Sequence, residues 1–142
     1  MKARLFLAWL AIAPFLGLFG CASVNVRALE DSGVELGAYL VLRNNPADIA
    51  PAEATAAALA QGNLGPLTLA GVSSAVALYG QKNGLSATAQ QGLEAAFAAA
   101  IENYLTDTGE TSLSGDPNAS AFITSLANAI TAGAQLAAAN PK

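Results

Sequence analysis

The stretch LEAAFAAAIENYL, residues 93–105, admits one regular structure. Its apolar residues Leu93, Phe97, Ala100, Ile101, Tyr104 and Leu105 recur at three- and four-residue steps, the period of a helix with one buried face. A stable sheet needs several paired strands. The strand-like run AYLVL, at 38–42, has no partner elsewhere in the chain. The sequence therefore predicts an all-α fold, a small bundle of four or five short helices.

Punctuation residues place the others. Residues 30–44 predict a first helix with Val34, Ala38 and Leu42 on one face, flanked by Leu36, Tyr39 and Leu40. Glu30, Asp31 and Glu35 then fall at its start, where carboxylates offset the helix dipole. Asn45 as cap and Pro46 at the first helical position open a second helix, with Ala50 before Pro51 as a later start. It closes near Gln61-Gly62. Leu69, Val72, Val76 and Tyr79 mark a third helix over 66–81, closed by Asn83-Gly84. Ser86 or Thr88 caps the fourth, and Thr88 with Gln91 fits a capping box. Polar residues 108–116 form the longest loop. Asp116-Pro117 repeats the cap-plus-proline device, and the fifth helix runs to about Ala139. Phe122, Leu126, Ile130 and Ala134 form its apolar row. Beside them Ala129, Gly133 and Ala137 make a small-residue stripe, a candidate helix-association face within the bundle or between copies. Short connections predict antiparallel neighbours.

Residues 117–141 carry no charge. Eight polar side chains there, among them Asn118, Thr124, Asn128 and Gln135, argue against a membrane span, because hydrocarbon leaves them unsatisfied. Composition constrains the packing further. Aromatic residues are 6% of the chain, and much of its 54% apolar content is alanine. Small side chains bury little area each, so cohesion must come from many close contacts.

Chemistry-bearing residues are scarce. There is no histidine and one cysteine, so neither a disulfide within the chain nor a thiol metal cluster is available. Ser73-Ser74 precede Lys82 by eight or more residues and have no base nearby in sequence. SGDPNAS, 114–120, lacks the oxygen spacing of a calcium loop. GNLGPLTLAG, 62–71, lacks the lysine and preceding strand of a phosphate loop. Glu94 and Glu102 lie off the apolar stripe of their helix. These patterns predict no enzyme, no cofactor and no metal. After Cys21, four basic residues stand against all ten acidic ones, a net charge of −6. That balance excludes a basic nucleic-acid surface.

The first segment carries the clearest functional pattern. Lys2 and Arg4 precede LFLAWLAIAPFL and then GLFGC, the layout of an export signal. The charge-free run is barely long enough to span a bilayer, and Pro14, Gly17 and Gly20 interrupt it. Leu18-Phe19-Gly20-Cys21 resembles the lipobox of bacterial lipoproteins. Leu18 and Gly20 match their positions; Phe19 stands where that family usually has a smaller residue. The resemblance implies cleavage before Cys21 and a lipid on its sulfur. Ala22 and Ser23, with no aspartate after the cysteine, resemble outer-membrane sorting in Gram-negative bacteria. It covers only about the first 23 residues.

The expected organisation is a lipoprotein signal peptide at 1–20, a lipidated tether at 21–29 and an Ala-rich helical domain at 30–142. The expected role is a non-enzymatic structural or protein-interaction module of the bacterial envelope. It is held to the membrane through lipid on Cys21, faces the periplasm, and has a protein partner or a second copy as its contact. The alternative is a helical module that binds an apolar ligand or a membrane, with a phage or prophage as a candidate source.

Overall fold

The structure, a computed structural model, describes residues 26–61 and 67–142. Among them are five α-helices: α1 (Val26–Leu42), α2 (Ile49–Ala60), α3 (Leu69–Lys82), α4 (Ala87–Thr108) and α5 (Ala119–Ala139). A 3-10 turn, Pro46–Asp48, leads into α2. The described residues contain no strand. The helices close a ring in the order α1, α5, α2, α3, α4, and the α1–α5 contact is the most extensive.

The apolar stripes face inward as their period requires. Val34, Ala38 and Leu42 of α1, Phe97 and Ile101 of α4, and Phe122, Leu126, Ile130 and Ala134 of α5 are all buried. Leu113, in the α4–α5 connection, is also fully buried, so this polar loop is pinned by one apolar side chain. Helix α5 alone among the described residues is long and apolar enough to cross a membrane by length and composition. Its apolarity has a use within the fold, since its buried face packs against α1 and α2.

Several boundaries differ from the sequence expectations. Helix α1 begins at Val26, so the last four residues of the expected 21–29 tether are helical. Arg27, Ala28 and Leu29 are good helix formers, and one β-branched valine costs only tenths of a kcal/mol. Consequently no acidic residue lies in the first turn of α1, and Glu30, Asp31 and Glu35 do not cap its dipole. Asn45 makes no side-chain cap; its amide donates instead to Asp48. Pro51 is the third residue of α2, where its missing N–H leaves no helical bond unmade. Helix α3 starts at Leu69, with Thr68 accepting from the Gly71 N–H at 3.0 Å. Ser86 caps α4 and Thr88 lies inside it. Helix α5 starts at Ala119, beyond the expected Asp116-Pro117. The expected glycine cap at Gly62 lies outside the described residues.

Direction is also partly corrected. Val41 of α1 meets Gly92 of α4, and Gly37 meets Ala96, so these helices run antiparallel. Asp31 meets Ser125, while Glu35 and Ala38 meet Gly133, so α1 and α5 run parallel. The antiparallel expectation rested on short connections, and α1 and α5 share none.

Candidate functional site

The lipobox-like residues Leu18, Phe19, Gly20 and Cys21 lie outside the described residues. The small-residue stripe lies within them. Ala129, Gly133 and Ala137 are all buried, and Gly133 abuts the backbone of α1 at Glu35 and Tyr39. The stripe is occupied inside the chain and offers no face to a second copy.

The carboxylates do not converge. Among the described residues no three His, Cys, Asp or Glu side chains group as metal ligands do. Asp31 accepts from the Ser125 hydroxyl at 2.5 Å, a tie between α1 and α5. Glu94 accepts from Gln90 at 2.8 Å, one turn away on α4. Glu102 is exposed, about 12 Å along the same helix. In SGDPNAS, Asp116 accepts from the Asn118 N–H at 2.8 Å and from the Tyr104 hydroxyl at 2.6 Å. Its oxygens thus close the turn before α5. Ser74 and Lys82 are both exposed and about 12 Å apart along α3.

One polar centre carried no local sequence signal. Asp48 is 3% exposed, and its carboxylate accepts from the Ser86 N–H at 2.8 Å and the Ser86 hydroxyl at 2.5 Å. Asn45 completes it. The cluster fixes the start of α4 to the start of α2 and places a carboxylate where the α4 dipole favours one. Its partners are 38 residues apart, beyond any local pattern. Asp48→Ala should therefore cost about 2 kcal/mol, because it removes a buried acceptor from the part-buried N–H and hydroxyl of Ser86. Urea unfolding should show a lower midpoint at an unchanged slope.

The remaining distinctive surface is apolar. Leu36 and Leu40 on α1 are 56% and 51% exposed, and Leu136 on α5 is 43% exposed. A groove of about 170 Å³ runs between α1 and α5, lined by Ser32, Glu35, Leu36, Tyr39 and Leu136. A second, of about 460 Å³, runs between α1 and the start of α4 beside Leu40, Val41 and Asn44. Sequence period placed Leu36 and Leu40 at the flank of the buried face but left open whether another helix covers them.

No protein-family model matches the chain, and neither the curated proteins nor the solved structures yield a match.

Proposed function

We infer that the chain is a bacterial envelope lipoprotein whose mature part is a non-enzymatic structural or protein-interaction module. The observation that carries this is Leu18-x-Gly20-Cys21 at the end of a basic-then-apolar segment, with Cys21 as the sole cysteine. Cleavage before Cys21 removes residues 1–20, and the lipid holds the bundle at the membrane. Ala22 and Ser23 direct it to the outer membrane, facing the periplasm. A single acyl chain binds a bilayer marginally, so stable attachment calls for the diacylglyceryl and amide-linked chains of this protein class.

The described bundle supports the reading in two ways. Among the described residues the apolar core draws on all five helices, from Val34 to Ala137, a bundle for the anchor to hold. Only four residues separate Cys21 from the start of α1, which keeps that start within about 18 Å of the attachment point. The exposed leucines of α1 and α5 supply a contact surface, whereas the carboxylates and serines are dispersed. An interaction role therefore fits the side chains better than acid–base or nucleophilic chemistry.

Labelled palmitate tests the anchor. In a bacterial host the wild-type chain should incorporate label and Cys21→Ser should incorporate none. Equal labelling of the two overturns the assignment.

A further inference from the structure

We propose that the exposed ridge of α1 is a self-association surface that joins two copies of this chain in antiparallel fashion. This names the partner of the interaction module inferred above and rests on that reading.

The ridge is Ser32, Leu36 and Leu40, continued by Asn44 in the turn just past the end of α1, all exposed and four residues apart. Such a row is the kind of ridge by which helices interlock, each seated in the groove beside the other. Here the grooves already exist on both sides of the leucines. Asn44 ends the row while its amide donates to the Leu40 carbonyl at 3.0 Å, closing the last turn of α1. The order polar, leucine, leucine, polar reads the same in both directions. A second α1 running the opposite way sets Leu36 against Leu40 and Ser32 against Asn44 across a twofold axis. Contacts of this isologous kind are self-complementary and closed.

Charge favours the same register. Glu35 and Arg43 lie on the same flank of the ridge. Antiparallel pairing brings Glu35 of each copy alongside Arg43 of the other, within about two residues along the axis, or about 3 Å. Arg43 is half-buried, with its guanidinium over the Tyr39 ring at 5.6 Å from the centroid. That contact holds its charge near the ridge. A parallel pairing instead sends this flank of each copy to opposite sides of the seam, so neither Glu35 meets an Arg43. A bilayer is a poorer occupant. Helices that lie on membranes carry Lys and Arg on the polar face, whereas this face holds Glu35 beside Leu36 in a domain of net charge −6. One helix pair makes a small interface, so the dimer is expected to be concentration-dependent.

The test is sedimentation equilibrium of the purified full chain in density-matched non-ionic detergent across a wide concentration range. The wild type should move from monomer to dimer. Leu36→Gln with Leu40→Gln should raise the dimer dissociation constant at least about tenfold. At concentrations where both proteins are monomeric its thermal midpoint should stay within a few degrees of the wild type, because about half of each side chain is exposed. Glu35→Arg alone should weaken the dimer, and Glu35→Arg with Arg43→Glu should restore it. A wild type that stays monomeric, or a dimer indifferent to the leucine pair, overturns the proposal. So does a monomer whose retention on phosphatidylethanolamine vesicles falls with the leucine pair, since the occupant is then a bilayer. A monomer that still incorporates palmitate sinks the dimer alone; a dimer that does not sinks the anchor alone.

Discussion

Gly133→Ala should destabilise the fold by about 2 kcal/mol, whereas Gly33→Ala, in a partner helix, should stabilise it by about 0.5 kcal/mol. The two substitutions are chemically identical. A β-carbon at Gly133 would lie 2.7 Å from the Ala38 β-carbon and 3.0 Å from the Tyr39 backbone nitrogen, and would collide with the Glu35 carbonyl. Two of those three are backbone atoms of α1 and cannot rotate aside. The α1–α5 interface would have to open, and it is the most extensive in the ring. Alanine's better helix propensity, worth about 1 kcal/mol, offsets only part of that cost. At Gly33 the new carbon meets nothing within 4 Å, so the propensity gain stands alone. Urea midpoints should move in opposite directions. Gly133→Leu should prevent formation of the native bundle, seen as lost cooperativity in thermal unfolding.

Phe122→Ala should cost about 4 kcal/mol, and Phe122→Leu about 1 kcal/mol. Phe122 is fully buried and stacks on Tyr104, with ring centroids 4.1 Å apart and planes inclined by 16°. The stack joins the end of α4 to the start of α5, across the turn that Asp116 closes. Its loss removes both the ring's transfer free energy and the aromatic contact. The local surroundings include Ala119, whose short side chain cannot reach into the space left behind. Domains of this size are stable by about 5–15 kcal/mol, and an alanine-rich core belongs toward the lower end. The alanine variant should therefore melt at least about 15 °C below the wild type by circular dichroism. The leucine variant should retain most of the midpoint.

The contrast between Gly133 and Phe122 shows what the sequence could and could not disclose. Phe122 stands in a row with Leu126, Ile130 and Ala134, and the helical period alone predicts that the row is buried. The same holds for Val34, Ala38 and Leu42. Gly133 was visible as part of a small-residue stripe, but the period does not say which helix lies against it. That depends on α1 and α5 running parallel, an arrangement made by residues about 95 apart. Asp48 and Ser86 escaped for the same reason. The start of α1 at Val26 escaped because the stretch 22–29 is too short to display a helical period. At the candidate surface, Leu36 and Leu40 were legible as flanking residues, while their exposure depends on the order of helices around the ring. Cys21 is the opposite case: a short local motif, read without any tertiary contact.

The proposed function depends on the lipid on Cys21, which the mass of the mature chain purified from bacterial membranes tests. The expected chain begins at Cys21 and is heavier than its 21–142 polypeptide by a diacylglyceryl group and an amide-linked acyl chain. An unmodified chain beginning at Met1, or one beginning at Ser23 after cleavage past Ala22, would contradict it.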